Sequence, residues 1–231
     1  LPILLNPGDL ATTVIRTPSG VVAYDGDTAI DGVPGVACAI ELEVGGGSPL
    51  LPTGRVTDEV AGRTVTLVDN GMPVVLVRAA DLGVSGDESP ADLESRGDLV
   101  RAVEEIRRAA GPLMGLGDVA AQTVPKVFLL SAPREGGAIA TRAFIPTRVH
   151  TSIGVLMAAS VAAALRIPGT VGAELAVLPD AASATLVEHP TGTFPARVAV
   201  EERDGVWYGT SVSERTARKI FDGTVFPRPR L

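Results

Sequence analysis

The stretch from residue 150 to residue 165 reads His-Thr-Ser-Ile-Gly-Val-Leu-Met-Ala-Ala-Ser-Val-Ala-Ala-Ala-Leu, and it decides the fold. From Ile153 to Leu165 nearly every side chain is apolar or small, so a helix here has no polar face. Such a helix must be enclosed on every side. The uncharged run of 15 residues from Thr151 is shorter than the roughly 20 that span a bilayer. It therefore predicts a helix over 151–165 that is buried inside a curved sheet.

The rest of the chain favours strands. Glycine and proline make up about a fifth of the 231 residues and divide the sequence into short apolar runs, a rhythm typical of strands and turns. The predicted strands are Thr12–Arg16, Val21–Tyr24, Thr64–Val68, Val74–Val77, Val124–Leu130, Ala138–Phe144, Ala184–Glu188, Ala196–Glu201 and Val206–Val212. The run Gly45–Ser48 is predicted to be a flexible loop tip. The predicted class is α+β, a β-barrel wrapped around a central apolar helix.

Two further helices are predicted. Ser89 is an N-cap followed by proline, and it opens a helix whose apolar side chains recur at helical spacing. The buried face of that helix is expected to contain Leu99, Val103 and Ile106. A short terminal helix is predicted over 213–223.

Composition narrows the functional classes. The formal net charge is −7 and there is no basic cluster, which argues against nucleic acid or an anionic membrane surface as a partner. The single cysteine, Cys38, is expected to be a small buried hydrophobe. One cysteine excludes an internal disulfide framework and a cysteine-based zinc site, and two histidines exclude a histidine-rich metal centre, so we expect no metal and a cytoplasmic location.

The start of the apolar helix is the best candidate for a functional site. Backbone N–H groups at a helix N-terminus carry partial positive charge and bind carboxylate or enolate oxygens. Thr151 and Ser152 can add hydroxyl donors, and Arg142 or Arg148 can clamp a carboxylate. The alternative is that the hydroxyls only cap the helix and both arginines are solvated. His150 by itself is interpreted as structural.

Two other polar residues are ambiguous from the sequence. Lys126 begins an apolar strand, so its amine either snorkels at the sheet edge or points into a pocket, and spacing alone favours snorkelling. Asn70 is most simply a turn residue. No nucleophile and base can be paired from these residues, so no catalytic residue is assigned.

Nine collinear segments resemble the 4-oxalomesaconate tautomerases. They are Ala29–Gly35, Leu50–Gly54, Asp69–Val75, Arg78–Val84, Ala110–Val119, Val124–Lys126, Phe144–Pro146, His150–Gly154 and Glu188–Gly192. Those enzymes belong with the methylaconitate and methylitaconate isomerases on the diaminopimelate epimerase fold. The resemblance implies two similar halves, each a barrel around a central helix, with the active site between them.

The resemblance also implies that part of the enzyme is missing. Family members have an N-terminal half with Ser-Lys-Gly and Cys-Gly-Asn segments that transfer protons, and neither segment occurs here. We expect residues 1–24 to be strands from the end of a truncated first domain and residues 25–185 to be the second barrel. Residues 186–231 are expected to be closing strands and a terminal helix. The expected macromolecular partner is either the missing N-terminal half or a second copy in a homodimer.

Residue by residue, the resemblance implies a substrate-holding site. Asn70 matches the family's substrate loop, Lys126 stands where the fold places an asparagine facing the ligand, and Arg142 falls near a carboxylate-binding arginine. The expected substrate-binding residues are Asn70, Gly71, Met72, Lys126, Arg142, Arg148, His150, Thr151, Ser152 and Ile153. The implied reaction moves a proton within a small unsaturated di- or tricarboxylate, whose dienolate needs fixed donors.

Two alternatives stay open. One is a methylaconitate-type isomerase or a proline- or diaminopimelate-type epimerase. The other is a non-catalytic, truncated module that binds carboxylates. Under the main expectation the isolated chain is inert or nearly so, because its thiol and its two lysines do not match the family's acid–base positions.

Overall fold

The computed structural model describes residues 2–4, 10–29 and 33–226. The strands are β1 (Pro2–Leu4), β2 (Leu10–Ile15), β3 (Thr28–Ala29), β4 (Val36–Ala37), β5 (Ala39–Pro49), β6 (Asp58–Val60), β7 (Arg63–Asp69), β8 (Pro73–Arg78), β9 (Lys126–Ser131), β10 (Ile139–Phe144), β11 (Thr185–His189), β12 (Gly192–Arg203) and β13 (Val206–Thr216). The α-helices are α1 (Pro90–Ser95), α2 (Gly97–Leu113) and α3 (Val155–Leu165), and 3₁₀ turns cover Pro18–Gly20 and Ala79–Leu82.

Eleven of these strands form one sheet, in the order β1-β2-β5-β13-β12-β11-β10-β9-β8-β7-β6. Strands β7, β8, β11, β12 and β13 all contact α3. Leu50 connects β7 to β13 through its backbone. Its carbonyl accepts the Asp69 N–H of β7 at 2.8 Å, and its N–H donates to the Trp207 carbonyl of β13 at 2.7 Å. The sheet therefore wraps around α3, and Leu50 links its β7 side to its β13 side.

The enclosed helix is confirmed. Every residue from Met157 to Leu165 is buried, and three alanines, Ala162 to Ala164, have no exposed surface. Small side chains allow the sheet to approach the helix axis on all sides, and they pack against Leu76 and Phe128. No helix among the described residues, α3 included, has the length and apolar character needed to cross a membrane.

The bounds of α3 differ from the predicted ones. The helix begins at Val155, four residues after the predicted start at Thr151. Gly154 is the N-cap, and its backbone is extended, with φ −78° and ψ 150°. The segment before it therefore approaches the helix as an irregular chain.

A second core lies on the outer face of the sheet, under α2. Leu99, Val103 and Ile106 are buried there, as predicted. The Ser89 hydroxyl caps α1 by accepting a backbone N–H at 3.1 Å. The predicted single helix is divided at Arg96, whose ψ of 89° interrupts the helical backbone.

The predicted terminal helix over 213–223 is wrong. Strand β13 continues to Thr216 and pairs with β5 from Ser213↔Leu42 to Thr216↔Ala39. This ladder satisfies the backbone groups that a helix would otherwise pair internally, and residues 217–226 contain no helix. The end of the predicted closing region, 227–231, lies outside the described residues.

Two other local predictions are wrong. Residues 21–24 form no strand. The run Gly45–Ser48 lies inside β5 instead of forming a loop tip. Gly45 has φ +111°, and a side chain there would meet the Gly209 carbonyl and, at 2.9 Å, Asn70 Oδ1. Glycine is required at this point because another strand approaches closely, which local sequence cannot show.

Candidate active site

One edge of the sheet gathers most of the predicted site. Strand β7 ends there, the turn 70–72 follows, and β9, parallel to β8, begins there with Lys126 opposite Val74. Strand β10 is antiparallel to β9 and so ends at this edge, with Phe144 close to the start of β9. Because segment 145–154 leads from β10 into α3, the helix begins at the same edge.

The turn at residues 70–72 is fixed onto α3 by the one hydroxyl of that helix. Asn70 is buried, and its backbone N–H donates to Ser160 Oγ at 3.0 Å. The Ser160 hydroxyl donates in turn to the Met72 carbonyl at 2.7 Å. Gly71, with φ +91°, lies against Leu156 in the first turn of the helix. Asn70 and Met72 thus lie against the middle of α3, and Gly71 lies against its first turn.

Lys126 is buried and does not snorkel, so the prediction from spacing alone is wrong. Its Nζ donates to the Thr123 carbonyl at 2.7 Å and to Thr123 Oγ1 at 2.9 Å. Burial lowers the pKa of this ammonium, and the nearby positive charge of Arg107 lowers it further. The loop before β9 covers the amine, a tertiary contact that the strand pattern does not contain.

Arg142 is a half-buried cation that binds neutral oxygens. Its Nε donates to the Glu88 carbonyl at 2.9 Å and its Nη1 donates to the Thr141 carbonyl at 3.0 Å. Burial lowers the pKa of this guanidinium, which still remains charged near neutral pH. Within the described residues no carboxylate forms an ion pair with Arg142, although Glu88, Asp87 and Glu135 lie close enough to interact with its charge and raise its pKa. Its free N–H groups can still bind a carboxylate.

Arg148 differs from Arg142 in both exposure and pairing. Its side chain is 83% exposed, and its guanidinium pairs with the Glu94 carboxylate at 2.8 Å. Both arginines lie toward α1: Glu94 belongs to that helix, and Arg142 shares the outer sheet face with Phe144. Lys126, by strand alternation, has the inner parity of Phe128. The structure therefore brings the turn at residues 70–72, Lys126 and α3 together on the inner side of one edge, and it leaves both arginines on the outer face of the sheet.

The segment before α3 is held by short-range contacts. His150 is exposed, and its Nδ1 lies 2.9 Å from the Ser152 carbonyl oxygen and 3.2 Å from the Ser152 nitrogen. The Thr151 carbonyl accepts the Thr191 hydroxyl at 2.9 Å, and Ile153 is buried. Because the N-cap is Gly154, the Thr151 and Ser152 hydroxyls do not cap the helix, whose side-chain cap is absent. The first amides of α3 have no intrahelical acceptor and are oriented toward this edge.

His189 is a residue that the sequence reasoning left out of the site. It is half-buried, and its Nδ1 accepts the Thr191 N–H at 3.4 Å. Burial lowers the pKa of its imidazole, a hydrogen bond to the Thr151 carbonyl opposes this, and the charges of His150 and Arg142 lower the pKa further. The ring therefore lies within electrostatic reach of both. Its one sequence signal was its place in the resembling segment Glu188–Gly192.

A cavity of about 860 Å³ opens beside the turn at residues 70–72. Its other walls are the glycine run of β5, residues 51–54 and the start of β13 around Trp207. The sequence pattern does not predict this cavity, because the glycine run resembles a loop rather than part of a strand. The described residues contain no group of three histidine, cysteine, aspartate or glutamate side chains that could hold a metal ion.

Comparison with known proteins gives the same assignment as the resemblance. The family described as PrpF protein matches residues 4–228. The chain belongs to the PrpF family. Its match to the solved structure of methylitaconate-delta-isomerase has a TM-score of 0.78 at 23% identity and covers 98% of this chain and 68% of that one. A PrpF-family chain with this architecture has the fold of that isomerase.

Curated relatives of this PrpF-family chain are isomerases. It is 48% identical over 227 residues to the (4E)-oxalomesaconate Delta-isomerase of Novosphingobium sp. strain KA1, covering 96% of this chain and 63% of the relative. It is 49% identical over 226 residues to the 4-oxalomesaconate tautomerase of Pseudomonas putida KT2440, covering 95% and 62%. The chain thus spans slightly less than two thirds of the length of these relatives.

Proposed function

We propose that this chain is the substrate-holding portion of an isomerase that moves a proton within a small unsaturated di- or tricarboxylate such as 4-oxalomesaconate, without a cofactor. The names of its close relatives support this reaction. The observation that carries the proposal is Arg142, a half-buried guanidinium without an ion-pair partner among the described residues. It lies within electrostatic reach of His189, which is hydrogen-bonded to Thr151 in the segment before α3.

In this mechanism the described residues bind and stabilise. Arg142 receives one carboxylate of the substrate, because a guanidinium fork matches a carboxylate with two parallel hydrogen bonds. A proton α to a carbonyl, or on an allylic carbon, is weakly acidic, and its removal places negative charge on the carbonyl oxygen. Donors that are fixed before the reaction stabilise that charge most effectively. We assign this role to the Lys126 ammonium and the first amides of α3, so the substrate would lie across the edge of the sheet, with Arg142 on its outer side.

The groups that take and return the proton stay unassigned within residues 1–231. We propose that they belong to the part of PrpF-family proteins that this chain does not span. Its counterpart surface would include exposed apolar side chains near the N-terminal strands, among them Val14 at 53% and Val36 at 62% exposure. A second copy of the chain is the alternative partner. The domain boundaries after residues 24 and 185, and the cytoplasmic location, are part of the same proposal.

The test measures binding of mesaconate, an unsaturated dicarboxylate, by NMR titration of the wild type, Arg142→Gln and Arg148→Gln. Charge-assisted hydrogen bonds contribute about 1.5–3 kcal/mol, so Arg142→Gln should weaken the Kd by roughly 10- to 100-fold. Arg148→Gln is the matched control and should change the Kd less than about threefold, because its guanidinium is exposed and paired. Equal weakening in both variants, or no binding by the wild type at millimolar ligand, would contradict the proposal.

A second measurement concerns the chemistry. Solvent deuterium incorporation into 4-oxalomesaconate should be absent or nearly so with the 231-residue chain. Incorporation that approaches the rate of a full-length PrpF-family enzyme would place the acid and base within these residues, contrary to the assignment above.

A further inference from the structure

Arg107 in α2 is a fully buried cation outside the site described above. It is 1% exposed, and it makes a double hydrogen bond with Glu104, Nε to Oε2 at 2.6 Å and Nη2 to Oε1 at 2.8 Å. Burying a guanidinium is unfavourable unless its charge and its donors are satisfied. Glu104 balances the charge of Arg107 and binds Nε and Nη2, so the N–H groups of Nη1 need other acceptors.

Nη1 of Arg107 organises the connection between α2 and β9. It donates to the carbonyls of Val119 at 2.9 Å, Gln122 at 3.1 Å and Val124 at 2.9 Å. These carbonyls belong to segment 119–124, which contains no helix or strand. One guanidinium nitrogen therefore fixes the shape of this loop, because the loop has no ladder of its own to do so.

The same loop holds Lys126. Thr123, between two of the anchored carbonyl groups, supplies both oxygens that accept hydrogen bonds from Nζ. An ammonium has three donors, so Thr123 uses two of them. The neighbours of Lys126 across the sheet are apolar: Val74 lies opposite in β8, and Ile145 follows the last paired residue of β10. Among the described residues the third donor of this ammonium has no hydrogen-bond acceptor, so it is available to a ligand at the edge where α3 begins.

Charge reinforces the geometry. Burial lowers the pKa of Lys126, and the positive charge of Arg107 lowers it further. Among the described residues Lys126 has no carboxylate partner in an ion pair, and Glu104 is engaged by Arg107 and Arg108. A more acidic ammonium donates a stronger hydrogen bond to an oxyanion.

We propose that Arg107 is a positioning residue for Lys126: it anchors segment 119–124, whose Thr123 binds the ammonium, and so presents the ammonium as a donor for the enolate oxygen of the substrate. The chemical role of the ammonium rests on the function proposed above. The coupling between Arg107 and Lys126 does not, and it can be measured on the protein without substrate.

The sequence makes this measurement direct, because the chain has two lysines. Biosynthetic [13Cε]lysine gives two NMR signals, and Lys219, which pairs with Asp222 at the surface, is the internal control. Arg107→Met should raise the pH midpoint of the Lys126 signal toward that of an ordinary lysine, since the opposing charge is lost. Arg108→Met is the matched control, because Arg108 also binds Glu104 but does not touch the loop, and should leave both midpoints unchanged.

A milder variant covers the case in which Arg107→Met does not fold. Thr123→Ala removes one of the two acceptors of Nζ and should lower the order parameter of the Lys126 Cε signal while that of Lys219 stays constant. A folded Arg107→Met protein with an unchanged Lys126 midpoint, or a Thr123→Ala protein with an unchanged Lys126 order parameter, overturns the inference. Failure of mesaconate to bind would count against the proposed function alone, since the pH titration of the lysine signals uses no ligand.

Discussion

Ser160 is the polar residue of α3 whose removal should damage the structure most. Its side chain has no exposed surface, accepts the Asn70 N–H at 3.0 Å and donates to the Met72 carbonyl at 2.7 Å. Ser160→Ala leaves the buried Asn70 N–H and the partly buried Met72 carbonyl without this partner. Each unsatisfied buried group costs about 1–3 kcal/mol. We expect the free energy of unfolding to fall by about 2–4 kcal/mol, a little less than the sum because the turn relaxes.

The matched control for this substitution is Ser131→Ala. Ser131 Oγ is also buried but, in the described structure, has no hydrogen-bond partner. The same chemical change should therefore alter the free energy of unfolding by less than about 0.5 kcal/mol, or stabilise the protein slightly, because a buried hydroxyl without a partner is removed.

The assay is equilibrium unfolding in urea at pH 7, followed by circular dichroism, with m-values compared between variants. Mesaconate titration of Ser160→Ala adds a second readout, since the released turn at residues 70–72 borders the proposed site. If Ser160→Ala and Ser131→Ala shift the midpoint equally, the Ser160 hydroxyl does not secure the turn and the argument from its two hydrogen bonds fails.

Three further predictions concern other parts of the fold. Glu188→Gln should destabilise the protein by about 2 kcal/mol at pH 7, because the Glu188 carboxylate accepts three backbone N–H groups from residues 134–137. Burial raises the pKa of this carboxyl, but these hydrogen bonds outweigh burial and leave the pKa lowered. That contribution is present above the unfolded pKa and is lost as pH falls through the folded value, so urea midpoints of wild type and variant should converge in acid. Gly45→Ala should lower the thermal midpoint clearly, whereas Gly47→Ala, with open space around its Cα, should not. The pKa of Glu104 is lowered to about 2, mainly by its hydrogen bond with Arg107. Its stabilising contribution should therefore be lost as pH falls from about 4.5 toward 2. Glu104→Gln and wild type should differ in urea midpoint at pH 7 and converge at pH 2.

Local sequence predicts those elements whose structure depends only on residues within the element itself. The apolar character of 153–165 requires enclosure whatever surrounds it, so burial of α3 was predictable. The cap at Ser89 and the stripe from Leu99 to Ile106 likewise follow from short-range geometry. The terminal helix failed for the opposite reason: residues 213–216 resemble a helix start, but pairing with β5, more than 160 positions away, satisfies their backbone instead.

For the candidate site, the sequence supplied residue types and the resemblance supplied positions. Asn70, Gly71 and Met72 lie against α3, where the Ser160 hydroxyl binds the backbone of Asn70 and Met72, and their role in substrate binding stays a prediction. The sequence could not distinguish Arg142 from Arg148, because both precede α3 and both are cations. Their difference is tertiary: one meets carbonyls at the sheet, and the other meets a carboxylate of α1.

What the sequence determined by itself is therefore the class of fold, an apolar helix inside a strand-rich wall, and the set of cations from which a carboxylate site could be built. Tertiary structure alone decided which cations are available. The burial of Lys126 under a loop anchored by Arg107, and the glycine requirement at Gly45 beside Gly209, depend on segments that are distant along the chain. Periodicity reports only the neighbours of a residue within its own element, whereas burial, ion pairing and proton affinity are set by whichever other elements pack against it.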